Sequence, residues 1–386
     1  MTRFIQIHAL TVYAPSNLNR DDSGRPKTAK FGGVERLRIS SQALKRALRT
    51  SPAFKQRLDG HLGERTARAG EWFREMLMTH KMEDATATAV AKTLAALIGK
   101  PDTDKPDVLV RNKELFFMAP EERAKFSSMI ASIAKDKELT RELAQAAGAV
   151  EGDEDGDADD DTPKKKSKSK GLGKKRIDEL RSKVLVTVDT AADIAMFGRM
   201  VASAPDFNRE AAVQVAHAIT THRVDVEDDF YTAVDDLKKP SEDAGAGFIG
   251  ELGFGSGVFY IYACVDRDLL EKNLGGNTSL AGTAIAALVE GLATASPTGK
   301  QASFASHSRA SFLRIEKGSQ QPRSLAAAFL KPIRGEDLLG ASIGELGKLA
   351  DAMDKAYGAC FDGKPYMMNV VTGEGSLDCA IRCASE

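Results

Sequence analysis

The sequence predicts an α+β protein whose core begins with a strand and is interrupted by helices. Four stretches carry that expectation. Phe4 to Tyr13 opens with alternation, Ile5 and Ile7 against Gln6 and His8, and then turns apolar, as a strand buried mainly on one face would. Glu71 to Gly99 and Glu121 to Gly148 carry Ala, Leu, Met, Glu and Lys at helical spacing, so the region from about 60 to 148 is expected to be a helical insertion. Val258 to Val265, reading VFYIYACV, is the strongest strand signal in the chain because most of it is β-branched or aromatic.

Between these landmarks, Pro15 to Gly33 reads as a polar loop and Arg36 to Ile39 as a short second strand. Ser40 or Ser41 can cap a helix whose apolar stripe is Ala43, Leu44, Ala47 and Leu48, leaving Gln42, Lys45, Arg46 and Arg49 on the outer face. Leu280 to Thr294 is expected to be helical, Ser311 to Ile315 a strand and Ser324 to Leu330 a short helix. At 386 residues with 42% hydrophobic and 28% charged side chains, the chain can bury a substantial core, which excludes wholesale disorder and a disulfide-stapled miniprotein. No apolar run is long enough to span a membrane, and Met1 to Ala14 lacks the regions of a signal peptide, so a cytoplasmic location with no membrane partner is expected. The four cysteines are accordingly expected to be reduced thiols.

Net charge is −1, which hides a very uneven distribution. Met1 to Thr50 contains ten Lys or Arg against three acids. Glu151 to Asp161 contains eight acids in eleven residues, and Thr162 to Arg176 then contains eight Lys or Arg and no acid. With almost no apolar residues this double tract cannot offset its ordering entropy and is expected to be a mobile loop.

Several motifs fail on their surroundings. Gly245-x-Gly247-x-x-Gly250 matches a dinucleotide fingerprint as a string, but a polar run precedes it and a strand follows, so a flexible loop is expected instead. Gly299-Lys300 lacks the first Gly and the Ser/Thr of a phosphate loop. Asp153, Asp155 and Asp157 are followed by Ala158 and Lys164 where a calcium loop needs Gly and Glu. Cys379 and Cys383 have no second ligand pair for zinc, and His217 and His222, five apart, form no metal or catalytic pattern, so no metal, cofactor or catalytic residue is expected. What survives is the stretch Ser16 to Asp22, Phe31-Gly32-Gly33 and Arg36 to Arg49, which gathers hydroxyl, amide and cationic groups around a helix N-terminus whose free backbone N–H groups favour phosphate.

These residues, together with Asp193 to Met200, Ala216 to His222, Thr232 to Leu237 and Ser256 to Tyr260, closely resemble the type I-E CRISPR-associated Cascade backbone subunits, the CasC or Cas-seven family. The resemblance is strong over 1–50 and 193–265 and loose elsewhere. It implies a hand shape: an RRM-like, ferredoxin-like palm from residues 1–59 and 193–386, helical fingers at 60–192 and an extended thumb at about 216–255. It also implies a non-catalytic subunit whose copies line up head to tail along a CRISPR guide RNA, with target DNA and other Cascade subunits as partners, in antiviral defence. Carried over position by position, Arg20, Lys27, Arg38, Ser40, Gln42, Lys45, Arg46 and Arg49 contact the guide, Met200 wedges against a base, and Thr220, Thr221 and His222, which open the thumb, are RNA contacts as well. The resemblance further suggests Lys164, Lys165, Lys166, Lys168, Lys174 and Lys175 as contacts to the incoming DNA. The alternative expectation is a metal-dependent ribonuclease of related fold that uses Asp21 or Asp22.

Overall fold

The computed structural model describes residues 2–102, 110–150, 172–187, 190–233 and 248–386. The chain forms two compact units, one of Met1–Asp59, Ala212–Lys272 and Asn277–Glu386, the other of Gly60–Ala211 with Asn273–Gly276. Residues 193–211, grouped with the palm on sequence grounds, fall in the second unit.

The first unit starts with β1 (Phe4–Ser16), β2 (Thr28–Phe31), β3 (Val34–Ile39), α1 (Ser41–Thr50) and α2 (Pro52–Arg57). The second unit follows with β4 (Glu64–Thr66), α3 (Ala69–Thr79), α4 (Asp84–Ala95), β5 (Phe116–Met118), α5 (Pro120–Lys135), α6 (Lys137–Val150), α7 (Lys174–Val184) and α8 (Ala192–Phe197). The chain then returns through β6 (Val213–Val215), β7 (Ala218–Thr220), β8 (Glu227–Ala233) and β9 (Phe248–Asp266). It ends with α9 (Arg267–Asn273), α10 (Thr278–Thr294), α11 (Gln301–Phe304), β10 (Ala310–Gly318), α12 (Leu338–Tyr357), β11 (Tyr366–Asn369) and α13 (Leu377–Ser385). No helix among the described residues is long and apolar enough to cross a membrane.

The first unit is built on one antiparallel sheet in the order β11-β10-β1-β9-β7-β3-β2, with β6 and β8 also paired to β9. The expectation that β1 is buried on one face is corrected, because Gln6 and His8 are as buried as Ile5 and Ile7. One face of β1 packs on α10, while the other lies under α12 and a 3-10 turn at Ala326–Phe329, where Leu10, Tyr260 and Phe312 meet Leu325, Phe329 and Leu346. The polar residues on that covered face meet one another: Tyr262 donates to Gln6 (3.0 Å), the His8 ring meets the Tyr260 hydroxyl (2.9 Å), and Glu316 pairs with Arg314 (2.7 Å) and Arg323 (3.3 Å). The polar members of the alternation therefore mark a buried network and not a wet face.

Two further expectations change. Pro15 to Gly33 is not all loop: β2 pairs with β3 through a two-residue hairpin in which Gly32 and Gly33 have φ of 62° and 78°. Positive φ at both turn positions suits the twist of the flanking strands and favours glycine there. Gly250 belongs to the long strand β9, where its missing side chain makes room for the Tyr231 ring of β8; Gly245 and Gly247 lie outside the described residues.

The second unit is helical, as expected for 60–148, around a core of Phe73, Leu77, Leu94, Phe126, Ile130, Leu143 and Leu180. The short antiparallel pair β4–β5 is its one departure from that expectation among the described residues.

Candidate nucleic-acid interface

Ser40 caps α1 as the sequence suggested, its hydroxyl accepting from the Ala43 N–H at 3.2 Å. Leu44, Ala47 and Leu48 are buried, and Gln42 and Arg46 are exposed on the opposite face with half-buried Lys45 and Arg49 beside them. Partial burial pushes the Lys45 ammonium below its ordinary pKa, because desolvation disfavours the charged form.

The expected free N–H groups at this helix N-terminus are in part already engaged. The Ser40 N–H donates to Asn19 Oδ1 (2.8 Å), the Ser41 N–H to His217 Nδ1 (3.2 Å), and the Ala43 N–H to Ser40 itself. Ser41 and Ala43 of the first turn are thus already engaged, and the positive charge of this region comes from its side chains. His217, which its sequence surroundings do not single out as a site residue, sits exposed among them with Arg38 Nη1 3.2 Å from its Nδ1. Two donors on Nδ1 leave the proton on Nε2, so the ring is a neutral donor beside a fixed guanidinium.

The preceding loop is prebuilt. Asp21 Oδ1 accepts from the Ser23 N–H (2.9 Å), the Ser23 hydroxyl (2.7 Å) and the Arg25 N–H (3.0 Å), an arrangement that holds its carboxyl below the ordinary value, led by the Ser23 hydroxyl. Asn17 donates to the carbonyls of Gly24 (3.0 Å) and Gly253 (2.8 Å), and the Lys27 N–H donates to the Asn19 carbonyl (2.8 Å). Arg20 is exposed and bridges to Pro26, and the Lys27 carbonyl in turn accepts from the Arg38 N–H at 2.8 Å. Arg20, Lys27, Arg38, Ser40, Gln42, Lys45, Arg46 and Arg49 thus occupy one continuous construction of loop, strand and helix.

Thr220, Thr221 and His222 are placed differently from a ligand contact. All three are buried, and their polar atoms are committed internally. Thr220 Oγ1 accepts from the Leu37 N–H (3.2 Å) and donates to the His222 carbonyl (3.0 Å), while the Thr221 and Ser342 hydroxyls are bonded at 2.9 Å. His222 Nε2 accepts from the Val258 N–H (3.1 Å) and its Nδ1–H donates to the Arg223 carbonyl (2.9 Å). They fasten β7 to β3, β9 and α12. Arg36, buried and unsuspected from sequence, completes the weld by donating to the carbonyls of Phe31, Thr220 and Phe329 at 3.3, 3.1 and 2.8 Å.

In the second unit, Met200 is 78% exposed, unusual for so apolar a side chain. Its neighbour Arg199 is buried, paired with Glu122 at 2.6 Å, and donates to the carbonyls of Phe117, Val186 and Phe207. The methionine is therefore mounted on a rigid base. Lys174 and Lys175 are exposed in the first turn of α7; Lys164, Lys165, Lys166 and Lys168 lie outside the described residues, as do the acids of 151–161 and Asp235 and Asp236. Among the described residues no group of three His, Cys, Asp or Glu side chains is arranged to hold a metal ion. None of the four cysteines is in a disulfide.

Burial holds the buried His8 and His222 and, aided by Arg38 and Lys27, the exposed His217 below the ordinary histidine value of 6.5. The folded state then binds fewer protons than the unfolded chain once the pH falls below about 6.5, so these rings support the fold fully above that value and less below it. The melting temperature is expected to fall between pH 7.5 and 5.5 in thermal scans, and a flat or rising profile would contradict the placement of these rings.

The family described as CT1975-like protein matches residues 5–374. Among solved structures, a chain from one described as a CRISPR RNA-guided surveillance complex, pre-nicking, is 29% identical, with a TM-score of 0.78 and coverage of 99% of this chain and 100% of that one. A chain from another CRISPR RNA-guided surveillance complex is 24% identical with a TM-score of 0.68 at the same coverage, a likeness of fold. No curated protein matches.

Proposed function

The chain belongs to the CT1975-like protein family, and from that premise we propose that it is a guide-RNA-binding backbone subunit of a type I-E Cascade surveillance complex. The full-length likeness to a chain of an RNA-guided surveillance complex carries this reading. The basic construction from Arg20 to Arg49 supports it, because its cations project from backbone already fixed by Asn19, Asp21 and His217 and suit phosphates more than bases. Sequence would then be read by the guide through pairing with target DNA.

In this reading the first unit is the RRM-like palm of a hand, the second the fingers, and the β8–β9 ribbon the thumb. The RNA runs along the β2–β3 and α1 side in this reading, which the covering of the aromatic sheet face by α12 supports. Met200 supplies the wedge that displaces a base, and copies associate head to tail, an interface type that generates open filaments. Lys174 and Lys175 contribute to holding DNA.

The reading includes no catalysis. Asp21 spends Oδ1 on its own loop, which supports a structural role. With purified protein and single-stranded RNAs of increasing length, assemblies are expected to grow by whole subunits, with the RNA intact after incubation with magnesium. One monomer per RNA at every length would sink the scaffold, and cleavage abolished by Asp22→Ala would move the protein to the ribonuclease reading.

A further inference from the structure

The loop that joins α10 to β10 takes no part in the interface described above, yet it carries the same chemistry. From Gly291 to Ile315 the sequence contains no Asp or Glu, while it contains Lys300 and Arg309 and is rich in Ser and Thr. Lys300, His307 and Arg309 are exposed. Its exposed part, 298–309, therefore presents two cations and no acid of its own, in a chain with 55 acids.

The loop is also folded. Buried Ser306 donates to Gln301 Oε1 at 3.1 Å, and the Ser296 hydroxyl donates to the Ser308 carbonyl at 3.3 Å. Lys300 and Ala305, at φ of 50° and 49°, hold left-handed backbone on either side of α11, a costly conformation for residues with a Cβ that persists where surrounding contacts fix it.

Its position follows from Gly299. A Cβ there would lie 2.3 Å from the Leu18 carbonyl oxygen and 2.6 Å from that of Asn17, so the loop is pressed on the first residues of the basic loop. The next residue, Asn19, is the one whose side chain accepts from the N-terminus of α1. Asn17 to Asn19 thus joins two cationic segments far apart in sequence.

We propose that the 296–309 loop is a second phosphate-contacting element for the same single-stranded RNA, with Lys300 and Arg309 as its cations. This rests on the guide-RNA reading and extends it to residues that nothing in the N-terminal motif identifies. Neither side chain is buried, so removing their charge leaves the fold intact.

The test measures affinity of the full chain for an unstructured single-stranded RNA across a salt series, for the parent, Lys300→Glu/Arg309→Glu, Lys300→Ala/Arg309→Ala and Lys45→Ala/Arg49→Ala. Both loop variants are expected to keep the parent melting temperature and to flatten the slope of log affinity against log salt by about 0.7 for each phosphate that is no longer neutralised. Should charge reversal disturb folding, the alanine pair gives the reading. A parent-like slope in the loop variants, with a flattened slope in the α1 variant, overturns the loop's role and leaves the RNA reading in place. If the parent binds no RNA, or if neither site alters the slope, both fall together.

Discussion

Glu122→Ala is expected to destabilise the second unit by about 3–5 kcal/mol, the range for removing one partner of a buried ion pair. The Glu122 carboxylate is fully buried and accepts from Arg199 (2.6 Å), the Ala119 N–H (3.0 Å) and the Val186 N–H (3.1 Å). Truncation strands a guanidinium and two amide donors in a fully buried site. The single tryptophan, Trp72, lies in this unit and stacks beneath Arg123 (4.8 Å to the ring centre), so urea titration followed by its fluorescence reads the loss directly. A loss under about 1 kcal/mol would place Glu122 in a solvated or relaxed site. Because Arg199 is the residue before Met200, the same variant is expected to loosen the mount of the exposed methionine.

Arg36→Met carries the second large effect, about 3 kcal/mol, and it falls on the first unit. The guanidinium is fully buried, and burial pushes its pKa down, yet it has no acid partner in the hydrogen-bond network; it is held by three carbonyls, those of Phe31, Thr220 and Phe329. Methionine replaces much of the volume but leaves those oxygens unsatisfied at about 1–3 kcal/mol each, partly offset by no longer burying a charge. Hydrogen exchange is expected to accelerate in peptides covering 28–39 and 218–224. Protection equal to the parent would mean that β2, β7 and the Ala326–Phe329 turn are joined by something else.

Both predictions rest on charged residues that the sequence disguises. Arg36 sits in the alternating run Val34-Glu35-Arg36-Leu37-Arg38-Ile39, where an arginine reads as an outward strand residue; only the returning Ala326–Phe329 turn covers it. Glu122 follows another acid in the first turn of α5 and looks like an ordinary helix-dipole partner, although its contacts come from Val186 and Arg199. The legible parts were local: the Ser40 cap, the apolar stripe of α1, the helix after Leu280 and the β-branched half of β9. The glycine-rich first half of β9 has little strand propensity of its own and is held by pairing with β8. Gly32-Gly33 was a readable hairpin signal that the polar residues before it obscured.

The site divides the same way. Cations within one segment were identifiable from charge, whereas the residues that fix them, Asn19 and His217, are polar side chains whose role depends on which backbone group they meet. Conversely, the hydroxyl-rich run Thr220-Thr221-His222 looks like a ligand contact as a string, and tertiary packing spends every one of its polar side chains on the protein itself.

The central claim is that the cationic face of α1, set on this framework, holds the backbone of a guide RNA. The most direct measurement is RNA affinity and assembly size for the parent and Lys45→Ala/Arg49→Ala over a salt series. The claim predicts steep salt dependence for the parent, with a shallower slope, weaker affinity and smaller assemblies for the variant at a temperature where thermal scans show both proteins folded. Identical slopes and identical assemblies for the two proteins would contradict it.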